Sequence, residues 1–264
     1  MLGDQDASLL RFERDAVQSC LMPHYNRAPI TEALIDIRTE ASQLRFEDLQ
    51  ALKRHLGDYP NEETRTLGEF RFQFGQEVQA ASHQKPWALL FRNQGNNQVV
   101  QFRMDGITFS RLEPYETWER LSSEARRLWD IYRQAVGAQK IVRVAVRYIN
   151  LFKLPGPSVE PEEYLNIFPQ VSQELPRELR DFGPFSMSLP MHQPDLEGIL
   201  VINERNALQA EPDIVPIIVD FDLYVDNPPV SNEEELWAFF ERLRERKNLY
   251  FEASITDKTR ELIS

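Results

Sequence analysis

Arg143 and Arg147 lie in KIVRVAVRYINLF, residues 140–152, where Val142, Val144 and Val146 recur at every second position. β-Branched residues at that spacing predict a strand, and Arg143, Ala145, Arg147 and Ile149 then point to one side of it. By the same alternation Arg71, Arg92 and Arg103 take non-core positions on their own strands. A sheet that gathers these five guanidinium groups forms a cationic surface suited to a carboxylate or a nucleotide phosphate. A second reading needs no ligand. IVDFDLYVD, residues 218–226, puts Asp220, Asp222, Tyr224 and Asp226 on one face and Val219, Phe221, Leu223 and Val225 on the other. An acidic strand beside the arginine strand neutralises it through cross-strand pairs worth roughly 0.2–1 kcal/mol each. Asp220 and Asp222 also share a side, as two ligands of a divalent cation would, but ion pairing accounts for them more simply.

Catalytic signatures are sparse. His24, His55, His83 and His192 form no HxH or HExxH set, so a zinc or iron site would need ligands from distant segments. The sequence has no GxxxxGK[ST] or GxGxxG phosphate loop and no GxSxG elbow. Cys20 is the single cysteine, which rules out an internal disulfide and a cysteine metal site. No catalytic, cofactor-binding or metal-binding residue is assigned, and a non-enzymatic protein is expected.

The elements that must position these residues follow from periodicity. A leader spans residues 1–25. APITEALIDIRTE then reads as a strand opening after Pro29, with Leu34, Asp36 and Arg38 alternating against Ala33, Ile35 and Ile37. FEDLQALKRHLGDY has helical spacing and closes at Gly57. A meander follows: Phe70, Phe72 and Phe74 share one face of GEFRFQFGQ, and PWALLFRNQ and QVVQFRMD flank the turn residues GNN. After the strand GITFSRLEPY, Pro114 marks the first turn of a long helix with Trp118, Leu121, Ala125, Leu128, Trp129 and Tyr132 on one side. The proline-rich LPGPSVEPEEYLNIFP is the best internal boundary. Beyond it, strands are predicted at 184–192, 198–205 and 214–226. A last helix begins after Ser231, capped through Glu234, and runs with a break near Asn248 almost to the end.

This order predicts an α+β fold, with mostly antiparallel sheet packed by two long amphipathic helices. Residues 26–154 form a first half and 155–264 a second, each ending in strands and then a helix. Two similar halves are one way to build it, in one sheet or two.

Charge separates these halves. The whole chain of 264 residues carries −12, yet residues 1–154 hold 21 Lys and Arg against 20 Asp and Glu, while 155–264 hold 9 against 22. The acidity of the second half disfavours general nucleic-acid binding, which needs cationic surface. An acidic N-terminus without an apolar run gives no sign of a signal peptide, and no stretch of about 18 apolar residues suggests a membrane span. A cytoplasmic location is expected.

NRAPITEALIDIR, RYINLF, IIVDFDLYV and NLYFEASITDKTRELI occur in that order. Together they resemble a sporadically distributed bacterial family of uncharacterised proteins about this long, over most of the chain from Asn26 onward. The resemblance implies a bacterial protein without a known cofactor. Its sporadic distribution implies an accessory gene of the kind found in phage-defence, CRISPR-linked or toxin–antitoxin loci. The favoured function is a protein-binding accessory or regulatory component, whose acidic half meets a basic partner. Trp237, Phe240, Leu243, Tyr250 and Phe251 on the last helix are the candidate interface, and a homodimer is an alternative use of it. A sensor that binds a small anionic ligand on the arginine face is the second reading, and an enzyme the third.

Overall fold

Residues that alternate between apolar and polar along the chain fold into strands with one face buried. In the computed structural model, which describes residues 25–40, 45–73, 79–137, 139–172, 174–176, 178, 183–208 and 211–264, nine strands form one antiparallel sheet. They are β1 (Ile30–Thr39), β2 (Asn61–Gln73), β3 (Gln79–Arg92), β4 (Gln98–Arg103), β5 (Gly106–Leu112), β6 (Ile141–Pro155), β7 (Ser186–Gln193), β8 (Gly198–Asn206) and β9 (Ile214–Asp226). Across the sheet they run β2-β3-β4-β5-β1-β6-β9-β8-β7. Strands from both sides of the proline-rich boundary therefore share one sheet, joined where β1 pairs with β6.

Among the described residues there are four α-helices: α1 (Phe46–Gln50), α2 (Trp118–Val136), α3 (Glu233–Ser254) and α4 (Asp257–Ile263). A 3₁₀ turn, Ala51–His55, extends α1. α2 lies on β5 and β1, and α3 on β6 and β9. Every second residue of the central strands meets them: Ile35 and Ile37, Phe102, Phe109, Val144 and Val146, Phe221 and Leu223 join one core with Trp118, Trp129 and Tyr132 of α2. No helix of the described residues is long and apolar enough to cross a membrane.

Three local expectations need correction. α2 starts at Trp118, where the Thr117 side chain accepts from the Arg120 N–H, so Pro114 stands before the helix rather than in its first turn. The cap of α3 is Asn232 instead of Ser231. Its side chain accepts from the Glu235 N–H at 2.9 Å, and a Glu235 carboxylate oxygen accepts from the Ser231 N–H at 2.7 Å. α3 is also unbroken at Asn248 and stops at Ile255, whose extended backbone (φ −112°, ψ 149°) leads to the Thr256 cap of α4.

Candidate functional site

The second face of the sheet carries the polar half of each alternation, and strand register arranges it in rows. One row runs Arg103, Gly106, Arg38, Arg143 and Asp226 across β4, β5, β1, β6 and β9. The next runs Gln101, Thr108, Asp36, Ala145 and Tyr224. The third runs Val99, Ser110, Leu34, Arg147 and Asp222. Ala145 leaves a gap between larger side chains, and a cavity of about 390 Å³ opens there, with Arg38, Trp87, Arg143, Arg147 and Asp222 in its wall. A second cavity of about 270 Å³, lined by Arg92, Leu90 and Glu32, shares Gln101 and Thr108 with the first. Five strand gaps separate β3 from β9, so the two cavities form a groove about 24 Å long across the strands.

Charges in this groove are only partly matched. Arg147 donates from Nε and Nη2 to the two carboxylate oxygens of Asp220, at 2.9 and 2.6 Å. That hydrogen-bonded carboxylate raises the guanidinium pKa further above its usual value. Asp220 sits diagonally from Arg147, while the residue directly opposite is Asp222. Asp220 also accepts from Asn203 at 3.3 Å, and Asn203 accepts from Ser188, which extends the chain of hydrogen bonds to β7. The Asp222 side chain makes no hydrogen bond among the described residues, and burial raises its carboxyl pKa against the lowering effect of Arg147 and Arg143.

Arg103 is the most buried arginine of the set among the described side chains, at 5% exposure. Its Nη1 donates to Asp36 at 2.8 Å and its Nε to Asp105 at 3.2 Å, and Thr108 bonds the same Asp36 oxygen at 2.6 Å. Among the described residues Arg103 Nη2 and Asp36 Oδ2 are sealed from solvent without hydrogen bonds, with Arg38 Nε 3.3 Å from that Oδ2. Arg143 lies 4.3 Å over the Tyr224 ring and 3.7 Å from Asp226, beyond hydrogen-bonding distance. Among the described residues Arg38 has a single ionic contact, 3.3 Å from Nε to Oδ2 of Asp36. The Nη groups of Arg38 and Arg143 therefore make no hydrogen bond among the described residues.

Of the five arginines expected on one face, Arg103, Arg143 and Arg147 meet in the first cavity and Arg92 lines the second. Arg71 faces Ala81 on β2, and its side chain lies outside the described residues, as does that of His83. Cys20, His24 and Phe74 also lie outside them. Arg38 completes the group. Its outward position on β1 was readable, but its place beside Arg143 depends on the β1–β6 register, which no local pattern encodes.

The last-helix residues are placed differently from the expected interface. Trp237, Phe240, Leu243 and Phe251 are buried in the core, and Tyr250 is half-buried with its hydroxyl accepting from Gln193 at 2.9 Å. They hold α3 to the sheet and offer no outward docking surface. Lys247 shares this buried side, with Nζ 3.7 Å over the Tyr148 ring, and burial lowers its pKa to about 7. Glu204 on β8 is 1% exposed, and desolvation raises its carboxyl to about 8.

His55 and His192 are exposed. Among the described residues no three His, Cys, Asp or Glu side chains gather as a metal site would require. No family model matches the chain, and no curated protein matches it.

Proposed function

We propose that the protein is a non-enzymatic binding component whose sheet face opposite the described helices receives a small molecule bearing an anionic group. The observation that carries this reading is the central cavity, a space of small-molecule size lined by Arg38 and Arg143, whose Nη groups make no hydrogen bond among the described residues. Charge-assisted hydrogen bonds to such donors are among the stronger polar contacts available to a protein. The cavity straddles β1, which opens residues 26–154, and β6, which closes them. β1 pairs with β5, and β6 with β9.

Filling the cavity without changing its charge tests the reading. Ala145→Phe places a ring over the floor, where Ala145 is only 3% exposed. A thermal-shift screen of carboxylates, phosphates and amino acids should find compounds that raise the melting temperature of the natural protein and leave Ala145→Phe unmoved. At a hundredfold excess over Kd, the rise should be about 5–10 °C. Compounds that stabilise both proteins equally bind elsewhere and would remove the support for this site.

A second reading, as an accessory or regulatory component docking a basic protein, rests on the acidic excess of residues 155–264. Such docking would use outward acidic side chains, since the apolar residues of α3 are internal. Affinity purification of the tagged chain should then recover a stoichiometric partner that dissociates at high salt. A salt-resistant complex would argue against electrostatic docking.

A further inference from the structure

The β1–β6 register sets Arg38 directly opposite Arg143. Directly opposed residues of an antiparallel pair have Cβ atoms about 4.5–5.5 Å apart, and like charges in that position destabilise the sheet. Each arginine has one loose acidic contact: Arg38 Nε stands 3.3 Å from Oδ2 of Asp36, whose Oδ1 is bonded to Arg103 and Thr108, and Asp226 lies 3.7 Å from Arg143. Tyr224 supports the Arg143 guanidinium from one side at 4.3 Å, holding its plane in place without using its Nη donors. Asp222, unbonded among the described residues, lines the same cavity across the Ala145 floor. The cavity wall therefore offers, among the described residues, unused Nη donors on two guanidinium groups and a carboxylate that feels Arg143 and Arg147 without a side-chain hydrogen bond to either.

We infer that Arg38 and Arg143 together clamp one anionic group and that Asp222 receives a protonated amine of the same molecule, so that the ligand is a small zwitterion. This rests on the reading of the open face as a binding surface and narrows it to a class. A ligand with anionic groups alone would leave Asp222 facing it as a repulsive charge, whereas an ammonium group satisfies that carboxylate. The anionic end is a carboxylate in an amino acid or short peptide and a phosphate in a phosphorylated amino alcohol. Both present oxygens that two guanidinium groups can share.

Calorimetric titration of the full chain distinguishes these classes, using each proteinogenic amino acid, O-phosphoethanolamine, succinate and inorganic phosphate as probes. At least one zwitterion should bind, with its Kd weakened about tenfold or more by Arg38→Gln, Arg143→Gln or Asp222→Asn. Asp222→Asn should at the same time strengthen succinate or phosphate relative to the zwitterion. Selection of an amino acid or of O-phosphoethanolamine identifies the anionic group. Succinate or phosphate binding better than every zwitterion in the natural protein overturns the zwitterion inference and leaves an anion site standing. Failure of every probe to bind removes both readings.

Thermal unfolding of the two arginine variants and their double mutant gives an independent check. In the free protein the cycle should report repulsion between Arg38 and Arg143, and with saturating zwitterion it should report cooperation. Attraction in the free protein would show that the pair is already bridged within the fold, and the clamp would be wrong.

Discussion

Glu204 brings both carboxylate oxygens into the core without a hydrogen-bond partner, and Lys247 brings an ammonium group onto the ring of Tyr148. Their linkage to stability has opposite signs. Glu204 has its folded-state pKa raised to about 8, so between the unfolded value near 4.5 and pH 8 the native state holds the extra proton. Stability falls as pH rises through that window. Lys247 has its pKa lowered to about 7 from 10.5, so the unfolded state holds the extra proton between pH 7 and 10.5, and stability rises with pH there. Glu204→Gln should leave stability at pH 5 nearly unchanged and add about 2–4 kcal/mol at pH 9. Lys247→Met should add about 1–3 kcal/mol at pH 6, reduced by the lost cation–π contact, with the gain from removing the charge vanishing above pH 10.5. Urea unfolding at four pH values checks both, and a flat pH response in either comparison would show that water or another group already satisfies the charge. Both residues were legible in part. Glu204 follows Leu200 and Ile202 on the core side of β8, and Lys247 shares a helical side with Phe240, Leu243 and Phe251. Charge type masked the phase, because RLRERK reads as a solvated run until its neighbours are placed.

At the scale of elements, Gly106 joins the fold to the site. Its φ of +145° and its approach to β1 leave no room for a side chain, since a Cβ would stand 2.0 Å from the Ile37 carbonyl oxygen. The turn from β4 to β5 thus helps to fix the β1–β5 register that sets Arg38 beside Gly106. Gly106→Ala should cost about 2 kcal/mol or more, lowering the melting temperature by about 4–8 °C. Because β1 must shift to accommodate the methyl group, ligand binding should weaken along with stability. Unchanged melting would mean that β1 moves freely and that its register does not define the cavity. Strands of this kind were readable because period-two alternation survives in β1, β6 and β9, where one face is core. The boundary of α3 was harder: Ser231 and Asn232 are both good caps, and only the position of Glu235 selects Asn232. Partner choice was harder still. The acidic strand was expected beside the arginine strand, yet Arg147 takes the diagonal Asp220 and leaves the directly opposed Asp222 unbonded. Side-chain length and burial decide that preference, and neither appears in the alternation.

For the molecule as a whole, the division into a neutral and an acidic half meets a sheet that does not divide. β6 closes residues 26–154, yet its other edge is paired with β9 from Arg143–Asp226 to Pro155–Ile214. Separating the chain after residue 154 would expose that edge and strip Phe221, Leu223, Phe240 and Leu243 from a core they share with Ile35 and Val146. An unpaired strand edge beside exposed apolar surface promotes aggregation. Residues 26–154 and 155–264 expressed separately should therefore be insoluble or unfolded, and should recover a folded heterodimer only when refolded together. In the intact chain, Trp129 reports on the α2 region and Trp237 on α3, and both are buried. Variants retaining one or the other as the sole tryptophan should give the same urea midpoint, because a shared sheet and core unfold as one unit. Two separated midpoints would instead show that each half holds its own stability. The central cavity would then lie at a junction able to open, and ligand binding should bring the midpoints together, because a ligand held by β1 and β9 at once stabilises only the joined state.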